Sequence, residues 1–551
     1  EIMQSLREKE FYYKRETCMH SYPHCWRCGE PLLYRNVSEW FIDMSWRDEI
    51  MEVAKKIRWI PEWGLDQELN WLENMRDWML SKKRYWGLAL PIFECECGWF
   101  DVIGSREELK ERAVEGWDEF DGNSPHRPWI DRVKIECSEC GKTVSRIPDV
   151  GNPWLDAGIV PYSTVHYNTD RDYWNRWIPA DLVLECFPGQ FRNWFYALLS
   201  MSTMMENIPP FKSLLGYALV RDENGEEMHK SSGNAIWFDD AAETMGVDVM
   251  RWIYCRQNTA NNLNFGFQAG NLTRRTVFDT WWNIYAFFCN YARLADFDPE
   301  SESVPMEERT DMDRWVLARL NILVKEAHEA FERCDIQKCV RDAEDFIGQL
   351  SNWYVRRNRR RFWRERSDED PNTLAAYQTL HTTLVTLCRL LAPVVPFITE
   401  TMYRNLTRSR QGSHPESVHL CSFPEPDAEA LDEDLARSMD LTVDLVSAGH
   451  NIRKTKQIRV RQPLAELIVA TPDRSTRDSL KRFEQDILDE LNIKQLTFID
   501  TVGELGSYTV KPDFKKLGPR LGSAVKDVAS QLARMDSQEI ARRVNEGETV
   551  C

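Results

Sequence analysis

Apolar residues recur at helical spacing between about positions 314 and 404, with Trp315, Leu317, Leu320, Leu323 and Val324 setting the phase. This period predicts several long helices packed as a bundle. Upstream, over 148–260, the pattern is different. Short apolar runs at 182–184 and 214–220 alternate with a helical stretch at 193–205, which predicts an α/β region with a parallel sheet. Residues 91–147 hold short strand candidates punctuated by cysteines, and residues 1–90 mix helical stretches with aromatic-rich turns. Beyond position 440, helices alternate with short β-rich runs at 467–470 and 495–499, as expected of a small α+β domain. Two acidic, proline-bearing stretches, 296–313 and 416–434, interrupt the periodicity, and the first is the clearest linker candidate. The boundaries that follow are 1–260 for the α/β region with an insertion at about 91–147, 261–310 for a connecting segment, 311–435 for the bundle and 436–551 for the last domain.

Length agrees with this division: 551 residues at about 150 per domain make three to four domains. The formal net charge is −18, so contact with nucleic acid has to come from local basic patches. The longest apolar runs fall far short of the roughly 20 residues that span a bilayer, which excludes a membrane-spanning helix.

The fifteen cysteines are mostly scattered singly, as small buried residues of a reducing compartment. The exceptions are close pairs. Cys95 and Cys97 precede Gly98, and Cys137 and Cys140 precede Gly141. Two glycine-followed pairs suit a structural Zn²⁺ held by four thiolates, because the glycine permits the tight turn that aims amides at sulfur. A third pair, Cys25 and Cys28, is either half of another site or structural.

The stretch Glu227-Met228-His229-Lys230-Ser231-Ser232-Gly233-Asn234 follows a strand-like run. A lysine in a glycine-containing loop at a sheet edge suits phosphate handling. The loop resembles the Lys-Met-Ser-Lys-Ser signature of class I aminoacyl-tRNA synthetases. Asn74-Met75-Arg76-Asp77-Trp78, Ser81 and Arg84-Tyr85-Trp86-Gly87 resemble another block of that family. His20 to Cys28, His126-Arg127-Pro128, Gly151-Asn152-Pro153-Trp154-Leu155-Asp156, Asn352-Trp353-Tyr354-Val355-Arg356 and Val460-Arg461-Gln462-Pro463-Leu464 are similar to the isoleucyl-tRNA synthetases, in the same order along the chain.

The resemblance implies a partial Rossmann-like catalytic domain with a zinc-bearing insertion, then a helical anticodon-binding bundle and a small α+β domain. It implies an enzyme that joins isoleucine to tRNA with ATP and Mg²⁺ as substrates, cytoplasmic and monomeric when complete. Lys230 and Ser231 match the catalytic end of the signature loop, with Met228 beside them. Glu185, Gln190, Asp156, Trp154 and Trp194 match positions around the aminoacyl-adenylate. Trp154 and Trp194 are candidate walls against the isoleucine side chain, core packing being the alternative for both. Glu227 and His229 depart from the signature; a carboxylate beside polyphosphate is unfavourable unless it faces away or helps hold Mg²⁺. Trp353, Arg359, Arg360 and Arg361 lie in a basic, aromatic run that also holds Arg356, Arg357, Arg364 and Arg366. The run reads as an RNA footprint or as a salt-bridged helix. A second basic cluster, Arg453, Lys454, Lys456, Arg459 and Arg461, follows. The other signature loop of the family, of the His-Ile-Gly-His type, is not found. Both chain ends are expected to be cut, and the isolated chain to show no isoleucine-dependent ATP–pyrophosphate exchange. The alternatives are a non-catalytic RNA-binding remnant and a valyl-tRNA synthetase.

Overall fold

The computed structural model describes residues 2–25, 28–33, 36–83, 86–363, 370–408, 414–500, 513–532 and 534–545. Trp26, Arg27, Arg84, Tyr85, Arg364 and Arg366 lie outside the described residues, as does the side chain of Ser231. The chain divides into two compact units, Glu1–Ala218 and Leu219–Cys551.

The first unit is built on a three-stranded parallel sheet. Strands β1 (Arg58–Ile60), β2 (Ala180–Cys186) and β3 (Phe211–Tyr217) lie in the order β2-β3-β1, with Leu184 opposite Leu215 and Leu215 opposite Ile60. Helix α1 (Trp63–Asn74) follows β1, and α2 (Pro153–Gly158) precedes β2. Parallel neighbours need a crossover, and α3 (Trp194–Glu206) makes the one from β2 to β3. Nine consecutive residues of α3, Phe195 to Thr203, are buried, the mark of a helix apolar on all sides. It packs on α2, which begins with Asn152 as cap and Pro153 at its first position. A Cβ on Gly158 would stand 2.7 Å from the Ala197 carbonyl oxygen, so the close approach of these helices requires glycine there. Strand β2 is an edge among the described residues, and leaves Leu182 and Leu184 exposed.

Residues 92–145 form their own small core of Phe93, Phe120, Val133, Ile135 and Val144. A hairpin (Ile92–Glu94 with Phe100–Val102) and an antiparallel sheet (Ala113–Glu115, Lys134–Glu136 and Thr143–Ser145) surround it.

The second unit is mainly helical. Its elements are α4 (Val247–Arg256), α5 (Asp279–Leu294), α6 (Asp311–Glu332), α7 (Ile336–Gln349), α8 (Pro371–Leu391), α9 (Pro396–Leu406), α10 (Glu433–Thr455), β4 (Leu467–Ala470), α11 (Arg474–Arg482), α12 (Glu484–Leu491) and β5 (Leu496–Ile499). Helices α11 and α12 connect β4 to β5, which pair in parallel. Their apolar residues Leu480, Phe483, Ile487 and Leu496 share one continuous core with the bundle residues Trp315, Leu320 and Tyr377.

The 296–313 stretch, expected as a linker, is fastened to the bundle. Val304 is buried and its N–H donates to Gln378 Oε1 at 2.9 Å, while Arg309 donates to the Val304 carbonyl and to Thr379 Oγ1. At its end Thr310 and Asp313 form a capping box that starts α6. Asp313 is fully buried. Its carboxylate also accepts Tyr354 Oη at 2.6 Å and both terminal nitrogens of Arg361, at 2.8 and 2.7 Å. Tyr354 lies in a π-helical turn, Leu350–Val355, that continues α7. The wider turn shifts the phase of the side chains, and Tyr354 and Trp353 are both buried.

Two stability measurements follow. Arg361→Met leaves a buried carboxylate without its cation, and should lower the unfolding free energy by roughly 3–5 kcal/mol; an unchanged denaturation midpoint would contradict the structure. The second concerns Glu68 of α1, which is fully buried with neither carboxylate oxygen hydrogen-bonded among the described residues. Burial raises its pKa well above the ordinary 4.5. The folded protein therefore keeps a proton that the unfolded chain releases. Its stabilising contribution is complete below about pH 4.5 and is lost as pH rises towards the folded-state value. Glu68→Gln should gain stability relative to the parent as pH rises from 4 to 8. Parallel pH profiles for the two proteins would show that Glu68 is paired.

Candidate functional site

The four cysteines of the insertion converge. Their sulfurs all lie within 4.8 Å of one another, with Cys95 Sγ 3.5 Å from Cys140 Sγ and Cys97 Sγ 3.7 Å from Cys137 Sγ. A zinc tetrahedron with bonds of about 2.3 Å has sulfur–sulfur edges of about 3.8 Å, so the thiols fit that ion. The turns are built for it. The Gly98 N–H donates to the Cys95 carbonyl, the Gly141 N–H donates to the Cys137 carbonyl, and both glycines adopt positive φ (94° and 70°). Burial opposes ionisation of Cys137, but the amides of Cys140 and Glu139 and the neighbouring thiols outweigh it and bring its pKa to about 7. Among the described residues this is the one group of three or more side chains placed to hold a metal. Cys25 and Cys28 sit in a turn of the same kind: the Cys25 N–H donates to the Glu30 carbonyl and the Gly29 N–H to the Cys25 carbonyl, as Cys137 and Gly141 do with Lys142 and Cys137.

In the first unit the residues matched to the adenylate positions sit at the end of β2 and on α2 and α3. Glu185 Oε1 accepts the Cys186 N–H at 2.7 Å and Tyr217 Oη at 3.1 Å. Gln190 Oε1 accepts the Trp194 N–H at 3.2 Å and so caps α3. Trp194 turns its indole N–H to the Ala157 carbonyl at 3.2 Å. Trp154 lines a cavity of about 450 Å³ together with Trp71, Trp78, Arg192 and Tyr196, and Trp194 is not part of that lining. Asp156 is half-buried; burial raises its pKa, against the opposing pull of His126 and the Leu88 N–H. Arg192, also in this lining, has its guanidinium carbon 5.7 Å from the Trp71 ring centre.

The Lys230 loop belongs to the second unit. Asp222 starts it with a tight turn, accepting the N–H groups of Asn224 and Glu226. Asn234 closes it. Its amide donates to Asp222 Oδ2 and the Glu227 carbonyl and accepts the His229 N–H, all at 3.0 Å. The clasp by Asn234 was not legible in the sequence. Glu227 lies 3.9 Å from the Arg221 guanidinium and 3.6 Å from the His229 ring, so its charge already has a cation beside it in Arg221. Lys230 is exposed, with Nζ 4.9 Å from the Trp237 ring centre, and Met228 is half-buried. A cavity of about 490 Å³ beside the loop is lined by Arg221, Glu226, Glu227, His229, Ser232 and Asn234, with Gly225 at its turn.

The arginine run is split by its partners. Arg356 pairs with Glu490, Arg357 with Asp486 and Glu490, and Arg361 with Asp313. Trp353 is buried. Arg359 and Arg360 are exposed and without an ion pair among the described residues, next to the exposed Trp363. Successive helical residues point about 100° apart, so a run this dense must spread over several faces, and the inward ones meet carboxylates.

The metal reading predicts one zinc per chain. Metal analysis should find it, and a Cys137→Ser/Cys140→Ser double variant should lose it; zinc content unchanged in the variant would refute the assignment.

The family "tRNA synthetases class I (I, L, M and V)" matches residues 2–266, and the "Anticodon-binding domain of tRNA ligase" matches residues 313–469. The isoleucine–tRNA ligase of Thermus thermophilus is 38% identical over 559 residues, covering 100% of this chain and 52% of that protein. That of Clostridium novyi is 37% identical over 554 residues, again 100% and 52%, and that of Methanopyrus kandleri is 36% identical over 564 residues, 97% and 51%. The chain thus spans about half the length of the curated relatives it matches. Among solved structures, Mycobacterium tuberculosis methionyl-tRNA synthetase bound by methionyl-adenylate is alike in fold, with a TM-score of 0.51 and 14% identity over 74% of this chain and 71% of that one. Carrying a class I synthetase domain and an anticodon-binding domain in succession, the chain belongs to the class I aminoacyl-tRNA synthetases.

Proposed function

We propose that the chain is part of an isoleucine–tRNA ligase. The observation that carries this reading is the relation to isoleucine–tRNA ligases along the whole chain, and the exposed Lys230 in its clasped loop supports it. In this reading an isoleucine carboxylate oxygen attacks the α-phosphorus of ATP, pyrophosphate leaves, and a terminal tRNA hydroxyl then attacks the acyl carbon to release AMP. Lys230 and Ser231, with Met228, act at the phosphates, where catalysis is mostly positioning and electrostatics; Mg²⁺ accompanies ATP as part of the substrate. Glu185, Gln190, Asp156, Trp154 and Trp194 serve the isoleucyl-adenylate. A flat indole suits a β-branched side chain, although one methylene is worth only about 1–3 kcal/mol of discrimination. Arg359 and Arg360 contact tRNA, and Arg361 and Trp353 support them from within the bundle. Zn²⁺ held by Cys95, Cys97, Cys137 and Cys140 fixes the insertion. The complete protein is a cytoplasmic monomer in this reading; no helix of the described residues is long and apolar enough to cross a membrane.

The test supplies this chain with the portion of the Thermus thermophilus relative that it does not match. Isoleucine-dependent ATP–pyrophosphate exchange is expected, reduced on the order of a hundredfold or more by Lys230→Ala. Exchange with valine but not isoleucine would assign the valyl branch. Exchange indifferent to Lys230→Ala, or tRNA binding with no exchange, would overturn the catalytic reading.

A further inference from the structure

From residue 445 to residue 465 the chain has no Asp or Glu, although its net charge is −18. Within that window Arg453, Lys454, Lys456, Arg459 and Arg461 follow one another across the end of α10 and the turn after it. The structure separates one of them from the other four. Arg453 is buried, 3% exposed. Its guanidinium donates to four carbonyl oxygens: Arg459 and Gln462 at 3.1 Å, Leu491 at 2.6 Å and Asn492 at 3.2 Å. The first two lie in the turn and the last two at the end of α12, so one cation ties the turn to the neighbouring helix. Asn492 adds a bond from its amide to the Val460 carbonyl at 2.9 Å. The Ile458 N–H returns to the Arg453 carbonyl at 2.8 Å, and Gln457 takes a positive φ of 56°. The backbone of 453–462 is thereby fixed.

Lys454, Lys456, Arg459 and Arg461 are exposed on this fixed turn, and none has an ion pair among the described residues. The contrast with the arginine run is direct, because there Arg356, Arg357 and Arg361 are bound to carboxylates. Four unpaired cations on an ordered backbone attract a chain of regularly spaced anions, and little ordering entropy is left to lose on binding. Ile452 and Val460, 58% and 44% exposed, offer apolar surface between them. The anticodon-binding match extends over the turn, which selects RNA among polyanions.

We infer that the turn 454–461 docks the phosphate backbone of a folded RNA and contributes more phosphate contacts than the arginine run. This rests on the tRNA-ligase reading and goes beyond it by naming the surface. The experiment measures tRNA affinity of the chain against salt. Lys454→Gln/Lys456→Gln/Arg459→Gln/Arg461→Gln should lower the log–log salt slope by about 2–4, since each lost phosphate contact is worth roughly 0.7–0.9. Affinity at low salt should fall at least about tenfold. Lys454→Gln/Lys456→Gln, which alters two side chains without an ion pair among the described residues, should lower the slope by about 1–2 with an unchanged unfolding midpoint. Lys454→Arg/Lys456→Arg should restore binding. If the parent chain binds no tRNA, the underlying reading fails and the inference with it. If the parent binds and the quadruple variant keeps its slope, or if Arg359→Gln/Arg360→Gln lowers the slope more, the inference alone is wrong. Equal losses of tRNA and heparin affinity would replace RNA with polyanions in general.

Discussion

The helical unit is organised around one buried carboxylate. Asp313 has no exposed surface, yet it lies in the first turn of a 22-residue helix, completes its capping box with Thr310 and receives a tyrosine hydroxyl and a bidentate guanidinium. A buried charge is tolerated only when it is paired and hydrogen-bonded, so every neighbour is constrained. Arg361 must turn inward, Tyr354 must be brought round by the π-helical turn, and the chain before Thr310 must lie along α8. Burial and the adjacent carboxylate hold the Tyr354 phenol well above its ordinary pKa, which keeps its proton available as the donor. Asp248 works in a related way at the other end of α8. It accepts the Ile398 N–H at 2.7 Å and caps α9, while Arg251 donates to the carbonyls of Pro393 and Val394. Helix α4, which follows the Lys230 loop in sequence, is thus bonded to the bundle by charged side chains as well as by its apolar face.

This arrangement determines which cations remain for an RNA. The acidic balance of the chain is not spread evenly, because Asp486, Asp489 and Glu490 stand against Arg356 and Arg357. These arginines join the bundle to α12, and the same helix end is held by Arg453. Three of the most conspicuous basic residues therefore act within the protein. In these two basic runs, Arg359 and Arg360 on one side and Lys454, Lys456, Arg459 and Arg461 on the other are exposed and without an ion pair among the described residues.

Much of this was legible in the sequence. The helical period from Trp315 to Val324 located α6, the apolar runs around Val183 and Leu215 gave a parallel sheet, and the glycine-followed cysteine pairs came together as a group of four thiols. What could not be read were contacts between distant residues. Arg357 and Arg361 looked alike in a basic run; their partners lie well over a hundred residues downstream and nearly fifty upstream. The acidic composition of 296–313 suggested a solvated linker because charge was weighed without position, and Asp313 is the residue that anchors it. The burial of Glu68 on α1, beside Leu72, had no signal in the sequence, where a carboxylate reads as a solvated position. Trp154 and Trp194 were both candidate walls against the isoleucine side chain; Trp154 lines a cavity with Trp71 and Trp78, and the Trp194 indole N–H donates to the Ala157 carbonyl of α2.

The partition between buried and available arginines is the claim most open to measurement. Phenylglyoxal modification of the native chain, read residue by residue by mass spectrometry with and without tRNA, tests it directly. Arg359, Arg360, Arg459 and Arg461 should react in the free chain and be protected by tRNA, while Arg361 and Arg453 should stay unreactive in both. Reaction of Arg361 and Arg453 in the free chain, with protection by tRNA, would contradict the account.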